Sequence, residues 1–575
     1  MKLISKYLKP YLLYSVLGPL FKLLEVVFEL YVPLVVKDLI ENGISESSYP
    51  VIVKCTVTIV ALGLMGFLSA LLAQHFAAKV SAQATGDLKL DLFSHIQKLS
   101  FNQIDSLGKS TLLSRLTSDM NQIQTGVNLA LRLLLRSPFV VFGAMIMAFM
   151  VNRQSAFYFV VLIPILFVIT FAVLLYTIPL FSKSQGKLDH LVNITRENLT
   201  GTRVIRAFGH EKEEISEFET NASELYRIQN LSSVISTILN PATTIIVNIF
   251  IVILIRNGYS LFKNGVISQG DILALYNYMS MILVELIKLS NLVITITKSL
   301  ASANRIDKVL SIIPADIPDD IQNGTQKDTA QKILFENVSF SYPGSSVPAL
   351  STLSFEVQTG ETLGIIGGIG SGKTTLGHLI AGYYLPSDGT VKILGLDSSH
   401  TDPKKIRDYI GYVFQKASLI AGTVRSNLQW GCLNASDQEM IESLEAAQAW
   451  SFLESKNGLD TAVEREGKNF SGGQRQRLSI ARTLVKKPKV LILDDSASAL
   501  DFITESRLRS AISQLSWHPT VVIISQRITS LMHADRILVL QNGKLVGNGT
   551  HEELLETCLE YKEIALSQGM EVENV

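Results

Sequence analysis

Six apolar stretches crowd the first 300 or so residues, and any fold of this chain has to house them. They fall at 14–36, 51–72, 133–151, 156–175, 235–255 and 272–296, each close to the roughly 20 residues a helix needs to cross a bilayer. In hydrocarbon the backbone must satisfy its own hydrogen bonds, so such stretches predict spanning helices rather than loops. The first and last also carry charges. Over the whole chain 47% of residues are hydrophobic and 18% charged, the balance of a membrane region joined to a soluble domain. Lysine plus arginine and aspartate plus glutamate both count 51, and this zero net charge argues against a nucleic-acid partner. Cys55, Cys432 and Cys558 stand far apart in no metal-ligand spacing and read as small hydrophobes in a reducing compartment.

Orientation follows from the basic residues. None lies in the loop 38–50. Lys79, Lys89, Lys98, Lys109, Arg115, Arg132 and Arg136 are assigned to the segment between spans two and three. Lys183, Lys187, Arg196, Arg203, Arg206, Lys212 and Arg227 lie between spans four and five. Both segments are therefore expected to face the cytoplasm, with both termini on that side of a bacterial plasma membrane. Arg256 and Lys263 dissent mildly. No cleavable signal is evident, and residues 1–10, with Lys2, Lys6 and Lys9, read either as an amphipathic helix on the inner face or as a plain basic terminus.

The two long cytoplasmic segments are rich in helix formers, so the spans should continue as helices beyond the bilayer. Gly201 and Gly209 bracket an amphipathic piece at 202–208, and a comparable break occurs near 101–110. Each is either a short transverse helix at a hairpin tip or a surface turn. Lys22, Glu25 and Glu29 share one face of the first span, as do Glu285 and Lys288 of the sixth. These charges either wall a polar cavity suited to cationic amphiphiles, or they neutralise one another or snorkel at the bilayer edge; the sequence favours the plainer readings.

Composition changes after about residue 304. Pro314, Pro318 and a polar run at 323–328 mark a linker over 305–332, and from 333 to 575 short apolar strands alternate with helical stretches, as in a soluble α/β domain. The run Val490-Leu-Ile-Leu-Asp494-Asp495 reads as a strand buried on both faces that ends in two carboxylates. Ligands of a parallel sheet gather beyond such strand ends, and a buried acid pair calls for a cation. Earlier, Leu363-Gly-Ile-Ile366 leads into Gly367-Gly368-Ile369-Gly370-Ser371-Gly372-Lys373-Thr374-Thr375. This is a P-loop, whose backbone N–H groups and following helix suit the phosphates of ATP, with Lys373 adding charge and Thr374 a hydroxyl for Mg²⁺. Asp494 is its expected partner at the metal.

Phe470-Ser471-Gly472-Gly473-Gln474-Arg475-Gln476-Arg477, just upstream of Asp494, resembles the signature motif of ATP-binding-cassette (ABC) proteins. The resemblance runs from residue 333 to about 566. It implies that Tyr342 stacks on adenine, that Gln415 senses nucleotide, joins Thr374 and Asp494 at the metal and contacts the membrane domain, and that Asp501 in Ser498-Ala-Leu-Asp501 belongs to a loop crossing between two cassettes. Six spans followed by one cassette resemble an exporter half-transporter, which has to pair with a second one. The two transverse pieces would then be coupling helices, one for this chain's cassette and one for the partner's. In the family, Ser471, Gly472, Gly473 and Gln474 complete the nucleotide site on the other subunit.

Two positions depart from the family pattern. Asp495 stands where most members place a water-polarising glutamate, a reach shorter by about 1 Å, and misplacement of that size costs about 100-fold in rate. Gln526 stands where a histidine usually meets the γ-phosphate; it donates a hydrogen bond but carries no charge. With an intact signature, this pattern resembles the degenerate-site subunit of heterodimeric multidrug exporters. The sequence therefore predicts a helical membrane bundle followed by an α/β cassette, exporting hydrophobic or amphipathic compounds with ATP and Mg²⁺. A homodimeric lipid or peptide exporter and a non-hydrolytic regulatory subunit are the alternatives.

Overall fold

The computed structural model describes residues 2–314 and 332–570, the side chains of Lys2, Leu174 and Ser290 apart. Pro318 and the polar run 323–328 of the expected linker lie outside the described residues. The chain divides into two units, Met1–Gln97 with Lys109–Ile312, and Lys98–Gly108 with Ile313–Val575.

The first unit is helical throughout. Leu12–Asp38, Tyr49–Lys98, Lys109–Val151, Arg153–Phe208, Glu211–Lys263 and Gln269–Leu310 contain the six apolar stretches in turn. Among the described residues, the last five are long and apolar enough to cross a membrane. Leu12–Asp38, at 27 residues, has the length, but Lys22, Glu25 and Glu29 in its middle keep it out of that set. The 50 residues of Tyr49–Lys98 reach about 75 Å at 1.5 Å per residue, well over twice a hydrocarbon core. The bundle's core is apolar and close-packed around Val26, Leu30, Phe159, Leu162, Leu275 and Tyr278. Near the amino terminus a short helix, Lys2–Leu8, forms, and Tyr7 and Tyr11 tie it to Tyr49–Lys98 through Asp91 and Asp87 at 2.7 and 2.8 Å.

Two expectations about this unit need correction. Helix Arg153–Phe208 runs straight through Gly201 and stops at Gly209 in a left-handed cap (φ 70°), so residues 202–208 are its final turns and not a separate transverse helix. A single glycine costs a helix about 1 kcal/mol relative to alanine, too little to end one flanked by good helix formers. Arg136, counted with the cytoplasmic charges, instead opens helix Arg136–Val151 and is buried in the bundle, 6% exposed.

The second unit contains the α/β domain and, by its contacts, the short helix Phe101–Leu107. That piece is a true separate helix: Ser100 and Gln103 close a capping box at its start, and Gly108 (φ 78°) ends it. The main sheet runs, edge to edge, Lys544–Gly549, Arg536–Gln541, Thr362–Gly367, Thr520–Ile524, Val490–Asp494, Ile410–Val413. All neighbours are parallel except the first pair. Val490–Asp494 is buried at every residue, because strands flank it on both edges and helices cover both faces. A four-stranded antiparallel sheet, Leu350–Val357, Ile333–Phe340, Asp388–Ile393 and Leu396–Asp397, packs alongside. Thr362–Gly367 and Val490–Asp494 thus end at the same edge, with Thr520–Ile524 between them.

Candidate functional site

Strand Thr362–Gly367 delivers the chain into a glycine-rich turn, and helix Lys373–Ile380 leaves it. Gly367 is obligatory in this turn: its φ is 154°, and a Cβ there would lie 2.1 Å from the Leu540 carbonyl oxygen. Lys373 folds back over the turn, donating to the Gly367 and Gly368 carbonyls at 2.9 and 2.7 Å. Burial pushes its ammonium below the usual lysine range, against the pull of Asp495 and Asp494. The hydroxyl of Ser371 is buried without a hydrogen-bond partner, an orphan that a phosphate oxygen would satisfy.

A cavity of about 370 Å³ opens here, lined by Tyr342, residues 369–375, Gln415, Asp494, Asp495 and Gln526 among others. Tertiary structure has therefore gathered the P-loop, the strand-end acids and both departing positions around one cavity. Thr374 Oγ1 stands 3.1 Å from Asp494 Oδ1, and Tyr412 donates its phenolic proton to Asp494 Oδ2 at 2.8 Å. A hydroxyl and a carboxylate side by side form the hard oxygen set that suits Mg²⁺. Tyr342 bonds Thr375 through its hydroxyl at 3.1 Å and meets Phe340 and Tyr384 edge-on.

Asp495 follows the strand with a positive φ of 45°, its N–H held by the Ile524 carbonyl at 2.8 Å. Its carboxylate accepts from Gln415 Nε2 at 3.2 Å. Burial raises its pKa, Gln415 opposes, and the neighbouring Asp494 charge adds to the rise. Gln526 is exposed and faces the same cavity. The signature residues Ser471, Gly472, Gly473 and Gln474 do not line it. Ser471 caps helix Gly472–Leu484 in a capping box with Gln474, and Ser471 and Gly472 at the helix start are exposed. Asp501 caps the next helix, accepting from the Thr504 N–H at 3.1 Å.

Several residues were not singled out in the sequence. Tyr412 grips the metal acid; the signal was its place three residues before Gln415, on a strand paired beside Val490–Asp494. Behind the site an aromatic cluster joins Tyr412, Phe414, Tyr383, Tyr384 and His378. Phe101 of the short helix packs against Tyr383 in a tilted ring pair, centroids 4.7 Å apart, and Asp105 accepts from Tyr384 at 2.5 Å. The helix at 101–107 therefore meets Tyr383, which in turn stacks on Phe414, the residue before Gln415.

Comparison with known proteins agrees with this architecture. Residues 15–286 match the ABC transporter transmembrane region, and 350–498 match the ABC transporter family. An uncharacterised ABC transporter ATP-binding protein of Bacillus subtilis (YfiB) is 34% identical, over 98% of this chain and 97% of its own. ATP-dependent lipid A-core flippases of Desulfotalea psychrophila and Chromobacterium violaceum are 31% and 28% identical over 84% and 90% of this chain, and 84% and 89% of their own. The structure of a bacterial Atm1-family ABC exporter with ATP bound superposes with a TM-score of 0.80 at 23% identity, covering 99% of both chains, which shows the shared fold.

Proposed function

The chain belongs to the ABC transporters as an exporter half-transporter, and from that premise we propose that it pairs with a different subunit and exports hydrophobic or amphipathic compounds. Exporters of this family act as dimers in the membrane. In this reading the first span crosses as well, both termini are cytoplasmic, and Lys373, Thr374, Asp494 and Gln415 hold ATP and Mg²⁺. When bound, Mg²⁺ supplies positive charge against the phosphates.

The observation that carries the reading is Asp495. Its short carboxylate is occupied by Gln415, and Gln526 beside it brings no positive charge to the phosphates. Such a site holds ATP well and splits it slowly. The exposed, capped signature at Ser471 is fit to complete a competent site on the partner. The partner would then carry glutamate and histidine at the two positions, and an altered signature facing Lys373. The short helix Phe101–Leu107 would serve as a coupling helix, supported by its own contacts of Asp105 and Phe101 with Tyr384 and Tyr383.

Vanadate trapping of a photoactive ATP analogue in the whole complex, resolved by subunit, tests this. Stable unhydrolysed nucleotide is expected at Lys373, with trapped product on the partner's P-loop. Rapid turnover at this chain's own P-loop, or full ATPase activity from a homodimer of it, would sink the reading. A homodimeric lipid exporter is the second reading, favoured by the two lipid A-core flippases among its relatives; it requires turnover at two equal sites.

A further inference from the structure

Three helices of the membrane unit close around a charge cluster and a cavity. Arg136 bonds Glu285 and, at 2.8 Å, Glu29 Oε2, and lies 4.0 Å from Glu25. Glu285 is 3% exposed and is saturated: Lys288 reaches its Oε1 at 2.8 Å and Ser137 its Oε2 at 3.1 Å. Lys22 neutralises Glu25 at 2.5 Å. Three bases thus meet three acids, and the cluster has no net charge to offer a ligand of one sign. That balance speaks against a site for lone cations.

Arg136 Nε is buried without a partner, but it does not line the cavity; the groups with free hydrogen-bonding capacity that do are the outer ones. Glu29 keeps its Oε1 without a donor among the described residues, and its side chain is 45% exposed. Lys288, 44% exposed, spends one of three N–H bonds on Glu285. Both line a cavity of about 440 Å³, with the carboxamide of Asn277 and an apolar wall that includes Val32, Val140, Met281 and Val284. A volume of this size takes a small amphiphile.

Resting on the exporter reading, we propose that this cavity is a binding site for zwitterionic amphiphiles. The ligand's cationic group lies at Glu29, its anionic group at Lys288, and its alkyl chain along the apolar wall. A ligand with both signs pairs each free valence and leaves the buried Arg136–Glu285 pair undisturbed. A singly charged ligand answers one of these free valences and covers the other without pairing it, at a cost in desolvation that the zwitterion avoids.

Binding of a dodecyl series to the whole complex in phosphatidylglycerol nanodiscs tests this, with protein-free discs subtracted. The probes are N-dodecyl-N,N-dimethylglycine, dodecyltrimethylammonium, dodecyl sulfate and dodecyl maltoside; glycine betaine supplies the headgroup without a tail. The dodecyl zwitterion is expected to bind at least tenfold more tightly than each of the others, glycine betaine included. K288Q should turn the preference to the trimethylammonium compound, and E29Q should weaken the zwitterion at least tenfold. Should E29Q fail to fold, K288Q, at a half-exposed lysine, decides alone. Equal or tighter binding of the cation to the unmodified protein, a profile unmoved by K288Q, or no binding of any probe overturns the proposal. Nucleotide trapping on the same sample reports the exporter reading separately.

Discussion

Tyr412 donates its phenolic proton to Asp494 at 2.8 Å, while Thr374 approaches the other oxygen of the same carboxylate at 3.1 Å. Asp494 is 2% exposed, and its orientation toward the cavity depends on both neighbours. Y412F keeps the ring and leaves one carboxylate oxygen unpaired. A hydrogen bond to a charged group contributes about 1.5–3 kcal/mol, so a stability loss of about 2 kcal/mol is expected in denaturant titration of the full chain. Affinity for Mg²⁺–ATP should fall several-fold with it. An unchanged midpoint and unchanged affinity would show that Thr374 positions Asp494 alone.

Asp495 and Gln526 share the cavity wall. Restoring reach and charge together, in D495E/Q526H, is expected to raise turnover at this chain's P-loop by about 100-fold, measured in the complex with the partner's P-loop lysine replaced. A gain below about threefold would place the defect elsewhere.

Phe101 and Asp105 meet the cassette through Tyr383 and Tyr384. F101A with D105N should leave nucleotide binding within about twofold and cut ATP-driven transport at least tenfold in proteoliposomes. Loss of both in parallel would instead indicate a folding defect, since removing packed aromatic contacts also costs stability.

His378 is pushed down by burial, partly opposed by Asp494 and Asp105, and its Nδ1 has no partner. A histidine kept neutral in the folded chain is protonated first in the unfolded one. Stability therefore declines as pH falls through about 6.5, by at most about 1.4 kcal/mol per unit, and levels off below the folded value. His551 is lowered too and adds the same sign. H378Q should flatten the decline measured between about pH 6.5 and 5 without abolishing it. A slope equal to that of the unmodified protein would remove His378 from the account.

A Cβ placed on Gly126 would lie 2.2 Å from the Cβ of Ser299, where helices Met120–Leu133 and Gln269–Leu310 touch. G126A is expected to lower stability by about 1–3 kcal/mol, read as a fall in the thermal midpoint in detergent. S299G should recover most of it; failure of that rescue would trace the loss to helix propensity or backbone shift.

Much of the fold was legible because its signals are local. Each apolar stretch of spanning length states its own helix, and a P-loop between strand and helix states its own turn. The break at 101–107 carried a serine cap and a terminal glycine and did form a helix. That at 202–208 followed an interior glycine that helix Arg153–Phe208 passes through, so it formed no separate helix. Arg136 was misread because a basic residue looks alike at a helix end in water and among buried acids; its partners stand 107 and 149 positions away in the chain.

By itself the sequence determined the class of the chain, a membrane-helical unit followed by a nucleotide-binding α/β unit, together with the residues that depart from the family at the phosphates. Only the tertiary structure decided what those residues touch: Gln415 on Asp495, Tyr412 on Asp494, and Arg136 among three glutamates. The physical reason is one of range. Hydrophobic length, capping and turn chemistry act within a few residues, whereas the pairing of buried charges and hydroxyls depends on which strands and helices become neighbours.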